Sequence, residues 1–156
     1  MKKEFVPYEE SLALKELGFD EPCFAGYNFK DRRTGQFKYP SARDANTTSK
    51  ARVYADDKKI VGAPLYQQAF RWFREKYKLV GTILGDGFNG ELKGYYYSIT
   101  EDGWINYYES IDDSKWFDTY QEAELACLRK LIDIVNQNKE DGNKTNTINN
   151  NNIPSV

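Results

Sequence analysis

Two amphipathic segments, with three tyrosine-rich runs of alternating character between them, limit what this chain can become. In residues 63–77 (APLYQQAFRWFREKY), Leu65, Ala69, Trp72, Phe73 and Lys76 or Tyr77 recur at the i, i+4, i+7, i+8 spacing of a helical stripe, and Pro64 suits a first turn. In residues 119–135 (TYQEAELACLRKLIDIV), Ala123, Cys127, Leu128, Leu131, Ile132 and Val135 form a second stripe, opened by the T-x-x-E capping box of Thr119 and Glu122. Between them, residues 79–84, 92–100 and 104–110 alternate as strands do. Gly85-Asp86-Gly87 with Asn89-Gly90, and Glu101-Asp102-Gly103, supply turn chemistry between them. The fold class expected is α+β: a three- to four-stranded antiparallel sheet with two long helices packed on one face and a short N-terminal helix.

That short helix is expected from Pro7 to Gly18, with Tyr8, Leu12, Ala13, Glu16 and Leu17 on one face and Glu9, Glu10 and Lys15 toward water. After Pro22, Cys23, Tyr27 and Phe29 fall at alternate positions of a strand, with Phe24 opposed. Residues 30–62 read as a long basic loop or irregular hairpin with one strand candidate at 51–55. The last helix should end near Asn138. Beyond it, residues 139–156 form an asparagine-rich tail with no apolar period to offset the entropy of ordering, so a disordered tail is expected after one domain spanning 1–138.

At 156 residues, 40% hydrophobic and 15% aromatic, the chain can close one core. A net charge of −2 argues against nucleic-acid binding through bulk charge. The charge is nevertheless uneven. Residues 28–59 hold nine basic side chains against four acidic, and residues 101–124 hold eight acidic against Lys115 alone. Such polarity can steer a charged partner or a second copy. No run approaches the roughly 20 apolar residues of a membrane span, and Cys23 and Cys127 suit buried thiols, so a bacterial cytoplasmic location is expected.

The string Gly85-x-Gly87-x-x-Gly90 has the glycine spacing of a phosphate cradle but leads into Leu92-Lys93-Gly94-Tyr95, a strand, where a cradle would open a helix. The chain has no histidine and two isolated cysteines, which removes Cys/His zinc sites and histidine-based triads. Glu101, Asp102, Glu109, Asp112, Asp113 and Asp118 could in principle form an acid/base pair or hold a hard cation, yet acids in turns and loops are ordinarily solvated. No catalytic residue, metal site or cofactor is therefore expected. The candidate partner-binding residues are Arg71, Arg74 and Lys78, a basic stripe on the second helix, with Tyr96 and Tyr107 on whichever sheet face the helices leave open.

The order helix, three strands, helix over residues 64–136 resembles a double-stranded-RNA-binding domain. The lysines that such domains place at their last helix are replaced here by Glu122 and Glu124. The strings FVPYEESLALKELGFDEPCFA, APLYQQAFRWFREKY and TYQEAELACLRKLIDIV are similar to a family of small uncharacterised proteins of phages, prophages and genomes of gut Bacteroidales. That resemblance implies an origin and carries no site residues across. The chain departs from shorter members in its basic 30–62 segment and its tail. The expectation is a small non-enzymatic interaction module, a phage accessory protein binding an unknown macromolecule, protein rather than nucleic acid, with self-association open. Weak nucleic-acid binding and a carboxylate-based enzyme or metal site are the alternatives.

Overall fold

The computed structural model describes residues 2–28, 36–38, 60–88, 91–101, 105–110 and 116–150. A short 3-10 turn (Lys2–Glu4) precedes helix α1 (Tyr8–Glu16), strands β1 (Ala25–Asn28), β2 (Gln36–Lys38) and β3 (Ile60–Ala63), helix α2 (Tyr66–Tyr77), strands β4 (Leu79–Phe88), β5 (Glu91–Glu101) and β6 (Ile105–Glu109), and helix α3 (Tyr120–Asn150). The mixed α/β class agrees with the sequence. Its sheet arrangement differs: the strands form two separate antiparallel sheets, ordered β2-β1-β3 and β4-β5-β6, where one was expected. Two strands were missed, β2, which pairs Tyr27 with Phe37, and β3, which pairs Ala25 with Ala63 and Tyr27 with Val61. Four residues of Ile-Val-Gly-Ala carry no alternation, so only the long-range partner reveals them as strand. The strand candidate at 51–55 lies outside the described residues.

The second sheet follows the expected hairpins. β4 runs through Gly85, Asp86 and Gly87 to Phe88, so those residues belong to the strand and not to the turn. Phe88 pairs with Glu91 across the two-residue Asn-Gly position, and a bulge falls between Asp86 and Gly87. A Cβ on Gly87 would lie 2.6 Å from the Glu91 carbonyl oxygen, which explains the glycine. β5 is bonded along its other side too. β6 covers Ser98–Glu101, the Tyr97 N–H donates to Ser110 Oγ (3.1 Å), and Tyr95 exchanges two 2.9 Å backbone bonds with Phe117.

Both long helices lie against the same face of this sheet. A Cβ built on Gly81 would meet Cys127 Sγ at 2.8 Å and the Phe70 ring at 2.9 Å, one from each helix. Tyr97 and Ile99 point into this core with Trp72, Phe73, Leu128 and Leu131. The T-x-x-E motif caps α3 as expected: the Thr119 N–H donates to Glu122 Oε2 (3.1 Å) and the Glu122 N–H to Thr119 Oγ1 (3.2 Å). α3 continues to Asn150, past the end anticipated near Asn138. Among its described side chains, which run to Asp141, the last buried one is Val135, and residues 136–141 are exposed.

α1 corrects one expectation. Gly18, at φ +93°, ends the helix as anticipated, with the Phe19 N–H donating to the Leu14 carbonyl. Glu10, however, is buried, together with Ser11 and Leu14. The helix packs on two sides. Tyr8 and Leu12 close a small cluster over the first sheet with Phe5, Ala25, Tyr27 and Val61, while Leu14 and Leu17 enter the main core. A helix held between two layers has no wide polar face, and Glu10 enters the interior because Arg129 of α3 meets it at 2.7 Å.

Candidate functional site

The site begins with Glu21-Pro22-Cys23-Phe24, the extended segment that leads into β1. Alternation buries Cys23, Ala25 and Tyr27 and turns Phe24 outward, where it is 69% exposed. This segment lies beside α2, whose stripe of Ala69, Trp72 and Phe73 faces the core and leaves Gln67, Gln68, Arg71 and Arg74 on the flank. Between them runs a groove of about 570 Å3.

Its geometry is set by Glu21. One carboxylate oxygen, Oε2, accepts from Arg71 Nη2 at 2.6 Å and from Gln68 Nε2 at 3.1 Å, and the same amide nitrogen donates to the Pro22 carbonyl at 3.0 Å. These bonds tie the two walls together and neutralise Arg71, which also lies 4.0 Å from Glu75. Arg74 is exposed, lines the same groove and has no ion pair among the described residues. The Cys23 thiol is pushed up to about 12 by burial and by Glu21, so it is not a thiolate nucleophile. What the groove offers is one uncommitted guanidinium, two side-chain amides and an exposed phenyl ring.

The candidate residues therefore separate. Arg71 and Arg74 meet in the groove. Lys78 does not: it sits in the left-handed conformation (φ 59°) that ends α2, its ammonium 3.3 Å from the Glu75 carbonyl. Tyr96 lies on the outer face of the β4-β5-β6 sheet, half-buried against Trp116 (ring centroids 5.6 Å apart), which stands over Gly94. Trp116, 42% exposed, supplies part of the cover for that face. Tyr107 occupies the bulged position of β6, and its side chain lies outside the described residues. Phe24 was missed as a site residue, although its placement opposite Cys23 and Tyr27 was legible.

A second polar cluster lies where α1, α2 and α3 meet. Glu10 Oε1 accepts from Arg129 Nε, while Glu10 Oε2 is buried with no partner. Burial, then the charges of Glu124 and Glu10, push the Tyr66 hydroxyl well above the ordinary phenol range. Glu124 itself is raised to about 7 by burial and then by Glu4, and the two acids line a cavity of about 340 Å3 with Tyr66 and Tyr120. Among the described residues, no three His, Cys, Asp or Glu side chains group closely enough to hold a metal. Asp102, Asp112 and Asp113 lie outside them. No described helix is long and apolar enough to cross a membrane.

Comparison of the chain with known protein families, with curated proteins and with solved structures found no match.

Proposed function

We propose that this chain is a non-enzymatic interaction module whose groove between residues 21–24 and α2 takes an acidic, partly apolar segment of a protein partner. The observation that carries this reading is Phe24, exposed over its groove beside Arg74, which has no ion pair among the described residues. Phenylalanine and arginine are both enriched at the cores of protein interfaces, and arginine is among the residues that dominate binding energy there. Covering an exposed phenyl is worth about 1.5–3 kcal/mol, and an acidic residue that pairs with Arg74 adds specificity. On the resemblance of its three strings to phage proteins of gut Bacteroidales, the role fits an accessory protein inside an infected bacterial cell.

Binding in the manner of a double-stranded-RNA-binding domain is disfavoured by Glu122 and Glu124, although helix, three strands and helix follow one another in that order. The test uses a short labelled peptide of alternating glutamate and leucine, followed by anisotropy. Phe24→Ala and Arg74→Glu should each weaken binding about tenfold or more, roughly 1.4 kcal/mol. Retention of DNA or RNA on gels at about 50 mM salt, with no peptide binding, would instead establish the nucleic-acid alternative through Arg74 and the basic 28–59 segment. A chain that holds neither ligand overturns the proposal.

A further inference from the structure

We propose that the outer edge of β4 is a dimerisation edge, along which β4 of a second copy of this chain pairs antiparallel about a two-fold axis at Thr82. In the β4-β5-β6 sheet, β5 has hydrogen-bonding neighbours on both sides: β4 on one, and β6, Ser110 and Phe117 on the other. β4 is paired with β5 alone among the described residues. The N–H and C=O groups of its alternate residues therefore point away from the sheet, and such a row is a template for another strand.

Proteins that keep such an edge single guard it with lysine, proline or a bulge in mid-strand. β4 has none of these over Leu79-Val80-Gly81-Thr82-Ile83-Leu84-Gly85. Its one bulge falls at Asp86/Gly87, so the pairing from Leu79 to Asp86 is in regular register. Thr82, near the middle of that stretch, is exposed. Both helices contact β4 from the inner face, at Gly81.

The occupant is a second copy because the strand is complementary to itself. Pairing about Thr82 sets Thr82 against Thr82 and Val80 against Leu84. Hydroxyl faces hydroxyl and aliphatic faces aliphatic, the cross-strand pairs that stabilise antiparallel sheets. Either hydrogen-bonding phase keeps this register, since the residue on the axis always opposes itself. The product is a six-stranded sheet whose outer face carries Leu84, Tyr96 and Trp116 of both protomers.

Sedimentation of the full chain at about 100 μM, a concentration that detects micromolar association, should give the mass of a dimer. Thr82→Lys should give a folded monomer, since two ammonium groups would meet on the axis and Thr82 is exposed, and it should melt where the wild type melts once diluted below its dissociation constant. In Thr82→Cys, axis Cα atoms about 4.5–5.5 Å apart lie within disulfide reach, so oxidation should link two chains at that position. Cys23 and Cys127 are buried and do not compete. Phe24→Ala should leave the mass unchanged. A wild-type monomer overturns the proposal, as does a dimer that survives Thr82→Lys and forms no disulfide in Thr82→Cys.

Discussion

Trp72 shows how much one side chain carries. It is 5% exposed and makes edge-on contacts with Phe19 (5.5 Å), Phe73 (5.1 Å) and Tyr77 (5.2 Å), with the Lys76 ammonium 4.8 Å from its ring. Phe19 arrives there only because Gly18 turns the chain after α1. Trp72→Ala should therefore cost about 3–5 kcal/mol in a denaturant melt. A loss near 1 kcal/mol would show that these rings do not form one cluster. Glu124 supplies a residue-scale prediction of another kind. Its carboxyl is raised to about 7, above the ordinary 4.5, by burial and by Glu4. A raised acid contributes stability that is fully present below about pH 4.5 and is lost as pH rises through 7. The melting temperature should fall across that window, and Glu124→Gln should flatten the fall. Lys3, Glu4, Tyr66 and Tyr120 face Glu124 across the cavity, while Glu10 and Arg129 contribute to the field at Tyr66 and Cys127 to that at Tyr120. Equal pH slopes in the two proteins would remove Glu124 as the cause.

The elements are matched to one another by close approach. Gly81 lets α2 and α3 descend onto β4, since a Cβ there would lie within 3 Å of both Cys127 Sγ and the Phe70 ring. Gly81→Ala should destabilise by about 1–3 kcal/mol, the usual cost of overpacking a filled core, measured by thermal or denaturant unfolding. A neutral result would mean that the helices ride higher than described. The hairpins, the capping box and the stripes of α2 and α3 were legible because each is a local pattern. The burial of Glu10 was not. Its neighbours in sequence are an ordinary solvent-facing run, and its partner Arg129 lies on α3, far along the chain. β3 was hidden for the same reason: it is a strand only by virtue of β1.

For the whole molecule, packing divides the chain unevenly. Among the described side chains of α3 the last buried one is Val135, and residues 136–141 are exposed. The sequence beyond them holds Ile148, Ile153 and Val156 at spacings that make no stripe. Deleting residues 142–156 should leave the melting temperature and groove binding unchanged. A truncated protein that melts several degrees lower would show that this segment docks, because about 1 kcal/mol shifts the midpoint of a domain this size by roughly 2–8 °C. The groove and the β4 edge belong to different elements, so a module that dimerises through β4 carries two grooves, and two weak sites on a multivalent partner would bind more tightly than either alone.

The amino-acid sequence by itself determined the two long helices, the capping box that opens α3, the β4-β5-β6 hairpins and the outward side of Phe24. Each follows from a period, a turn pair or an alternation within a few residues of chain. Of the proposed binding stripe, it placed Arg71 and Arg74 on one helical face. Only the tertiary structure decided that Glu21 would occupy Arg71, that the left-handed turn would draw Lys78 away, that Trp116 would lie on Tyr96 and that the strands would divide into two sheets. Those outcomes depend on groups that meet across long stretches of chain, and nothing in the pattern around a single residue records which distant group will reach it.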